Sequence, residues 1–451
     1  MTALATATAG PGRFSRGIHP PDRKGFAEDA AIEVLPNPAQ VAIPLLQHTG
    51  APCEPLVKVK DEVARGQKIG EGKGFITAPV HASVAGTIAM PSVTTLPNGR
   101  HVKTLPIKTG PTQLSAEELK ATLLGGDWPV SGLEAYTPEQ IAQTAREAGL
   151  VGLGGAAFPT HVKLTRNEKR PVDTLLLNGC ECEPYLTSDY RLMVEFPRPI
   201  LTGAMLAARA TGAGRVVIAV EDNKPAAVES LRRAAEGTGV DVRVMETRYP
   251  MGGERQVIPA ALGREVPTGG LPLDVGVVVM NVGTASALAA AVLRGQSLTH
   301  RVVSVTGAGI AQPKNVLTPI GASYKDLIDY CGGLKPDAAR VLAGGPMMGF
   351  ALNDLNVTIT KGTSGIVVLT REDVERVEET ACVRCGRCVD VCPLHLVPSR
   401  LALASRHQDW AMARRYHLMA CCECGCCAYV CPAAIPLVQL MRMGKAQLPR
   451  E

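Results

Sequence analysis

The chain has 451 residues, a formal net charge of +5, 46% hydrophobic residues and 20% charged residues. One hydrophobic core rarely supports such a length, so several domains are expected. The small charge and the aromatic content of 4% give no support to nucleic-acid binding, and no nucleic-acid partner is expected. The longest apolar runs, such as residues 277–280, are too short to span a bilayer.

Residues 1–40 are predicted to be an extended N-terminal segment. Residues 1–12 are rich in Ala, Thr and Gly, but they lack the basic start and the apolar core of a secretory signal. We therefore expect no secretory signal in this segment.

Residues 41–110 are expected to form a barrel-sandwich module, because residues 57–88 resemble biotinyl and lipoyl β-barrels. A swinging-arm carrier would need an exposed lysine at a hairpin tip. Lys73 lies between two glycines but lacks the usual flanking residues, so a structural or docking role is predicted instead. Residues 111–133 are typical of a linker with a short helix.

A glycine-rich loop follows a predicted helix at residues 138–149. The loop, residues 152–160, contains small residues, with Phe158 near its end and Lys163 shortly after it. Backbone N–H groups in such a loop can approach a phosphate closely, and a nearby lysine adds positive charge. Glycine-rich loops also simply close tight turns, so this loop does not by itself establish a nucleotide site.

Strands and helices alternate after this loop, which is typical of a nucleotide-binding α/β layer. Apolar or alternating strands are predicted at residues 174–177, 215–220, 241–245 and 277–280, with a helix at 224–236. Polar or glycine-rich segments follow several strand ends, among them Asn178, Gly253 and Asn281. Ligands bind at the carboxyl ends of such strands, so one pocket is predicted there.

Residues 301–370 are predicted to form a small β-grasp-like unit, with strands at 301–306 and 365–369 and a helix at 324–331. Residues 398–420 are predicted to form one helix, in which apolar residues alternate with arginines. Lys and Arg outnumber Asp and Glu from residue 382 onward. This surplus could offset anionic clusters or attract an acidic redox partner, or it could be only a solvated helix face.

Cysteine spacing gives the strongest prediction. Of 14 cysteines, ten lie between residues 382 and 431, in two runs of identical spacing that each end in Cys-Pro. The eight cysteines in this spacing are Cys382, Cys385, Cys388, Cys392, Cys421, Cys424, Cys427 and Cys431. This is the spacing of two-cluster bacterial ferredoxins and indicates metal ligation in a reducing compartment.

Three close cysteines bind one cluster in such proteins, and the fourth binds the other cluster. The cluster that we call the first is predicted to be held by Cys382, Cys385, Cys388 and Cys431. The cluster that we call the second is predicted to be held by Cys421, Cys424, Cys427 and Cys392. Zinc is the alternative, but zinc usually takes ligands in two pairs, whereas each run here offers three plus one.

Taken together, these segments resemble a known family. The glycine-rich loop, the turn at residues 178–184, residues 252–254 and Asn281 are similar to the flavin- and NADH-binding subunit of respiratory complex I. The two-cluster tail and residues 14–21 make the chain resemble the C subunit of Rnf-type ion-translocating electron transport complexes. Further matching segments, which extend the resemblance over nearly the whole chain, are residues 47–52, 78–83, 221–225 and 344–349.

The resemblance implies a noncovalently bound FMN, NADH or NAD stacked over its ring, and two [4Fe-4S] clusters. Residues that would hold FMN are Gly152, Gly154, Gly155, Lys163, Asn178, Gly253 and Asn281. Residues that would face the dinucleotide are Phe158, Glu183 and Glu254. No catalytic acid or base is expected. The family usually has glycine where Ala157 stands, and the extra methyl group narrows the loop.

The implied fold class is a multidomain α/β and α+β chain. Its predicted parts are the N-terminal segment 1–40, the barrel-sandwich module 41–110, the linker 111–133, the FMN/NADH-binding α/β domain 134–300, the β-grasp (SLBB-like) unit 301–370 and the two-cluster ferredoxin domain 371–451.

The implied function is that of a peripheral oxidoreductase subunit in a membrane-bound, ion-translocating NAD:ferredoxin oxidoreductase complex. Its expected place is the cytoplasmic face of the bacterial inner membrane. Its expected partners are the integral-membrane and iron-sulfur subunits of that complex, with ferredoxin or flavodoxin as an indirect redox partner. Two alternatives stay open: a flavin-free electron-wire and docking subunit, and the diaphorase of a soluble hydrogenase or formate dehydrogenase.

Overall fold

The computed structural model describes residues 12–374 and 378–448. Residues 1–11, which belong to the predicted N-terminal segment without a secretory signal, lie outside the described residues. Residues 375–377 and 449–451 of the predicted ferredoxin domain also lie outside them.

The strands and helices of the described residues are numbered in chain order. The strands β1 to β18 are Ile32–Val34, Gln40–Pro44, Glu54–Pro55, Glu62–Val63, Lys68–Glu71, Val80–His81, Gly86–Ile88, Ser92–Thr95, His101–Thr109, Thr174–Asn178, Arg215–Glu221, Asp241–Met245, Val277–Asn281, His300–Thr306, Lys314–Pro319, Ala338–Ala343, Phe350–Leu352 and Gly365–Thr370. The helices α1 to α14 are Ala116–Leu123, Pro138–Glu147, Thr160–Leu164, Ser188–Glu195, Pro197–Thr211, Pro225–Ala235, Glu254–Leu262, Val282–Arg294, Tyr324–Tyr330, Arg387–Asp390, Pro398–Arg406, Trp410–Arg415, Cys426–Tyr429 and Leu437–Gln447. Short 3-10 helices lie at Lys24–Phe26, Leu133–Ala135, Pro272–Val275 and Leu418–Ala420.

A four-stranded parallel sheet positions the predicted nucleotide pocket. Its strand order is β12-β11-β10-β13, and all four strands were predicted from their apolar or alternating runs. Alternate residues of β10 face opposite sides: Leu175 and Leu177 pack with α5 and α8, while Leu176 packs with α7. Helices thus cover both faces, and the carboxyl ends of all four strands meet at one edge.

A six-stranded mixed sheet follows, in the order β1-β15-β14-β18-β16-β17. Helix α9 packs on it through Leu327 and Ile328, which are buried with Val303, Val305 and other strand residues. Strand β1 comes from the N-terminal segment and pairs in parallel with β15. No sequence pattern predicted this pairing, because the two strands are far apart in the chain.

Two smaller sheets form the barrel-sandwich module. One has the order β2-β9-β7-β4 with β8 paired to β9, and the other has the order β3-β5-β6. Val41, Ile43, Ile69, Val80 and Ile107 are completely buried in its core. Lys73 is exposed and pairs with Glu54 at 3.2 Å.

The C-terminal segment is an internal repeat in structure as well as in sequence. Helix α10 lies within the first cysteine run and α11 follows it, and they correspond to α13 within the second run and α14 after it. Gly386 and Gly425, at matching positions, have φ angles of +80° and +87°. Glycine tolerates this left-handed conformation at no steric cost, so both loops make the same tight turn.

The prediction of one helix over residues 398–420 is wrong. Helix α11 ends at Arg406, helix α12 spans Trp410–Arg415, and a 3-10 helix follows at Leu418–Ala420. Gln408 and His417 have φ angles of +54° and +59°. A right-handed helix cannot continue through such residues, so the segment folds back on itself.

Candidate flavin and iron-sulfur sites

Two asparagines end neighbouring strands at the carboxyl edge of the parallel sheet. The register of β10 and β13 places Asn178 opposite Asn281. Asn178 Nδ2 donates a hydrogen bond to the Gly252 carbonyl at 2.7 Å. Asn281 Oδ1 caps α8 by accepting hydrogen bonds from the N–H groups of Gly283 and Thr284 at 2.9 and 3.2 Å. The structure therefore brings Asn178, Asn281 and the 252–253 turn together.

The glycine-rich loop closes over this edge. The N–H of Gly152 donates to the Phe158 carbonyl at 2.8 Å, which joins the two ends of the loop. Leu153 N–H donates to Thr284 Oγ1 at 2.9 Å, which ties the loop to α8. A Cβ atom at Gly154 would lie 3.5 Å from Cβ of Asn281. The loop thus lies beside Asn281, with Gly154 and Gly155 exposed.

Ala157 adopts a conformation that favours glycine. Its φ angle is +48°, which costs a residue with a Cβ atom about 1–2 kcal/mol. Its carbonyl accepts a hydrogen bond from the N–H of Thr49 in the barrel-sandwich module at 3.1 Å. The departure from the family pattern at this position therefore introduces backbone strain into the loop.

Lys163 and Glu254 form an ion pair beside strand β13. Lys163 Nζ lies 2.8 Å from Glu254 Oε1 and donates to the Val279 carbonyl at 3.1 Å. Gly253 precedes α7, and a Cβ atom there would lie 2.3 Å from Gln256 Oε1. A side chain at this position would have to displace the Gln256 amide, and the structure places Lys163, Gly253 and Glu254 in one part of the site.

Glu183 contacts the β-grasp-like unit. Its carboxylate accepts hydrogen bonds from the N–H groups of Met347 and Met348 at 3.2 and 2.8 Å. Burial raises the pKa of this carboxyl to about 7, although both hydrogen bonds oppose the shift. Phe158 is partly buried at the end of the glycine-rich loop. Of the three residues predicted to face the dinucleotide, Phe158 therefore lies in the glycine-rich loop, whereas Glu183 lies against the β-grasp-like unit.

Two acidic residues behind Asn281 were not predicted. Asp189 Oδ2 accepts a hydrogen bond from Asn281 Nδ2 at 2.6 Å, and burial followed by the charge of Glu181 raises the pKa of Asp189 to about 7. Glu181 accepts hydrogen bonds from the N–H groups of Asp189 and Tyr190 at the start of α4. The available signal was the position of Glu181 shortly after the predicted strand at residues 174–177.

Two buried lysines hold the surrounding loops, and neither was predicted. Lys24 Nζ donates to the carbonyls of Glu181, Glu183 and Leu186 at 2.9, 3.1 and 2.6 Å. Lys361 Nζ donates to the carbonyls of Pro79 and Gly149, each at 2.6 Å. Burial lowers the pKa of Lys361 to about 7. Their partners are distant backbone carbonyls, which leave no local sequence pattern.

The four cysteines predicted to hold the second cluster line one cavity. Cys392, Cys421, Cys424 and Cys427 surround it together with apolar residues, among them Leu401 and Met441. The N–H groups of Leu396 and Glu423 donate to the sulfurs of Cys392 and Cys421 at 3.4 and 3.3 Å. Such hydrogen bonds tune cluster potentials. Four thiols are the donor set that a [4Fe-4S] cluster requires.

The cysteines predicted to hold the first cluster are more exposed. Cys388 and Cys431 are partly buried against the core of the ferredoxin domain, while Cys382 and Cys385 are exposed. Among the described residues, no three His, Cys, Asp or Glu side chains are close enough together to ligate a metal ion. The pairing of the eight sulfurs therefore stays a prediction.

Models of four known families match successive parts of the chain. Their descriptions are the RnfC barrel sandwich hybrid domain at residues 12–110, the Nuo51 FMN-binding domain at 145–290, the SLBB domain at 302–351 and the 4Fe-4S binding domain at 375–395. Their order confirms the predicted fold class. The last match covers only the first cysteine run.

Curated relatives match nearly the whole chain. The C subunit of the proton-translocating ferredoxin:NAD+ oxidoreductase complex of Clostridium ljungdahlii is 42% identical over 96% of this chain and 93% of its own length. The C subunit of the Na+-translocating ferredoxin:NAD+ oxidoreductase complex of Acetobacterium woodii is 41% identical over 97% of both chains. These identities are high enough to show common family membership.

The fold also occurs in solved structures. A chain of an NAD+-reducing [NiFe]-hydrogenase in the H2-reduced state aligns with a TM-score of 0.50 and 22% identity, over 73% of this chain and 66% of that chain. Within the described part of the chain, every helix is too short or too polar to cross a membrane.

Proposed function

Because the chain belongs to the C-subunit family of ion-translocating ferredoxin:NAD+ oxidoreductase complexes, we propose that it exchanges electrons between NADH and FMN. It passes them through two [4Fe-4S] clusters to partner subunits. One observation carries this function: the predicted flavin site and the cysteine repeat lie in two domains of the same chain that contact each other. The strand-end pocket at Asn178 and Asn281 lies in the domain that packs against the cysteine repeat through Tyr249 and Cys424.

The residues at the strand ends fit FMN, which is a planar ring system with one phosphate. The exposed backbone of Gly154 and Gly155 leaves room for a ligand, and a Cβ atom at Gly155 would meet nothing within 4 Å. Lys163 supplies a cation beside the pocket. Asn178 and Asn281 supply amide groups at the ends of β10 and β13. Gly152 and Gly253 complete the set that would hold the flavin.

Residues on the outer walls would orient the dinucleotide. Phe158 offers a ring for stacking, and Glu254 offers a carboxylate beside Lys163. The amides of Met347 and Met348 fix the Glu183 carboxylate. The lone pairs that its oxygens keep free would accept hydrogen bonds from the dinucleotide. These three residues position the nicotinamide and exclude water, and no side chain is needed as catalytic acid or base.

Flavin is the group that converts the two-electron hydride of NADH into single electrons. The protein contributes geometry to this conversion. Phe158 would orient the dinucleotide, Asn178 and Asn281 would hold the flavin, and the cluster cysteines lie in a packed domain that contacts the parallel-sheet domain.

We further propose a peripheral position on the cytoplasmic face of the bacterial inner membrane. The partners there would be the integral-membrane and iron-sulfur subunits of the same complex, with ferredoxin or flavodoxin as an indirect redox partner. Support comes from the relatives, which are named as subunits of ion-translocating complexes.

Flavin extraction and NADH oxidation test the proposed function. The anaerobically purified chain, reconstituted with iron, sulfide and FMN, is expected to retain FMN after gel filtration and to reduce ferricyanide with NADH. Asn281→Ser keeps an oxygen that can cap α8 but removes the amide donor, so it is expected to retain less FMN. Asn356→Ser changes an exposed asparagine and is the matched control. A wild-type chain that retains no flavin and does not oxidise NADH would refute the function.

A further inference from the structure

Tyr249 lies at the junction between the parallel-sheet domain and the ferredoxin domain. Its side chain is buried, and its hydroxyl donates a hydrogen bond to the Cys424 carbonyl at 2.7 Å. Its backbone exchanges two hydrogen bonds with Ile18, at 3.0 and 2.9 Å, so a short bridge fixes the ring. Cys426 Sγ lies 3.9 Å from the Tyr249 carbonyl. Tyr249 therefore has a single well-determined position against the second cysteine run.

The same turn leads directly into the predicted flavin site. Gly252, three residues after Tyr249, accepts the hydrogen bond of Asn178 Nδ2. The N–H of Gly252 donates to Cys182 Sγ at 3.3 Å. Cys182 and Tyr249 pack together with Cys424 in one apolar cluster. A continuous chain of contacts thus connects the predicted flavin site to a predicted cluster ligand.

The two predicted clusters are not equivalent in this respect. Cys424 belongs to the second cluster and, among the eight predicted ligands, is the one that packs in the apolar cluster with Tyr249. Cys388 and Cys431 of the first cluster pack instead within the core of the ferredoxin domain. Cys382 and Cys385 are exposed. The first cluster therefore has a solvent-facing side, where a partner protein could approach.

We infer that electrons from the flavin enter the ferredoxin domain at the second cluster and leave from the first cluster, and that Tyr249 positions the second cluster against the flavin site. This inference rests on the proposed function. With both cofactors bound, the hydride of NADH would reduce the flavin and leave NAD+. The flavin would then give up two electrons one at a time, each reducing one cluster by one electron, and would release its proton to water.

Tyr249 acts through Cys424 and is a positioning residue. A hydrogen-bond donor at a ligand's carbonyl draws electron density away from the cluster, which favours the reduced state. Removing that donor should therefore lower the reduction potential of the second cluster only. The first cluster should be unaffected, because its predicted ligands lie outside the apolar cluster around Tyr249.

Paired ligand variants test the order of the two clusters. Cys385→Ser disrupts the first cluster and Cys427→Ser disrupts the second, and dithionite reduction followed by EPR verifies that the other cluster remains. After anaerobic mixing with NADH and rapid freezing, the cluster remaining in the Cys385→Ser protein should be reduced as fast as in the wild type. The cluster remaining in the Cys427→Ser protein should be reduced at least about tenfold more slowly. The opposite order would overturn the inference.

Tyr249→Phe keeps the test decisive if a ligand variant fails to fold. EPR-monitored redox titration should show one of the two cluster signals at a lower potential and the other unchanged. Tyr429→Phe removes the same atom from an exposed tyrosine within the second cysteine run and should shift neither signal. Unchanged potentials in Tyr249→Phe would contradict the positioning role.

Two outcomes separate this inference from the proposed function. Absence of extractable flavin would refute the proposed function itself. A flavin that NADH reduces, together with a reversed order of the two clusters, would refute only this inference.

Discussion

Lys163 Nζ lies 2.8 Å from Glu254 Oε1, so a residue predicted to hold FMN is paired with one predicted to face the dinucleotide. The pair is partly exposed, and such pairs contribute little to stability. We therefore expect the ion pair to matter for ligand binding, because the Lys163 ammonium group can also contact a phosphate.

Lys163→Ala should weaken FMN binding about tenfold, equivalent to about 1.4 kcal/mol, because a charge-assisted contact is lost. Fluorescence titration of the FMN-depleted protein measures the dissociation constant. Lys169→Ala, at an exposed lysine in the following loop, is the control and should leave it unchanged. Equal affinities in the wild type and Lys163→Ala would rule out a role for Lys163 in holding the flavin.

Ala157→Gly should relieve the strain at φ +48°. Loss of the Cβ atom gains about 1–2 kcal/mol, and the greater freedom of glycine in the unfolded chain offsets about 0.5–1 kcal/mol of it. We expect unchanged or slightly higher stability in chemical denaturation and tighter FMN binding. Ala156→Gly, next to it in the loop, should show neither gain. Weaker FMN binding by Ala157→Gly would show that the methyl group supports the loop.

Glu183→Gln should change the pH dependence of stability. The folded-state pKa of Glu183 is raised to about 7 from a usual value near 4.5, so the folded protein binds more protons than the unfolded one between these pH values. The contribution of Glu183 is therefore greatest at low pH and is lost as pH rises towards 7. Urea unfolding between pH 4.5 and 7 should show a smaller decline in stability for Glu183→Gln than for the wild type. Parallel pH profiles would contradict the raised pKa.

Lys361→Ala should destabilise the chain by about 2–5 kcal/mol, because two buried carbonyls lose their donor. Those carbonyls belong to Pro79 in the barrel-sandwich module and Gly149 before the glycine-rich loop. Thermal unfolding measures the loss. Lys335→Ala, at an exposed lysine of the same β-grasp-like unit, should have little effect. A similar unfolding temperature for both variants would show that Lys361 does not join the modules.

Apolar runs and cysteine spacing predicted those parts of the fold that depend on residues close together in the sequence. The strand-end position of Asn178 and Asn281 followed from apolar strands, and their adjacency followed from the general behaviour of parallel sheets. Cysteine spacing predicted a two-cluster ferredoxin domain, in which the structure shows that the repeated helices α11 and α14 pack together. Periodicity and spacing were sufficient there because the determining residues are close in sequence.

Contacts between distant segments could not be predicted. Strand β1 pairs with β15, and Lys24 holds the turn at Glu181. The residues around β1 and Lys24 do not identify these distant partners. The break between α11 and α12 was missed because Gln408 has an ordinary helix propensity and only its packing context imposes a positive φ. The contact of Tyr249 was missed because its partner, Cys424, lies in another domain.

The most direct test of the electron-transfer function is an anaerobic titration of the reconstituted chain with NADH, followed by optical absorption and EPR. The function predicts one flavin and two [4Fe-4S] clusters per chain, with bleaching of the flavin bands and the appearance of reduced-cluster signals without any added mediator. A chain whose flavin or clusters are absent, or whose clusters respond to dithionite but never to NADH, would contradict it.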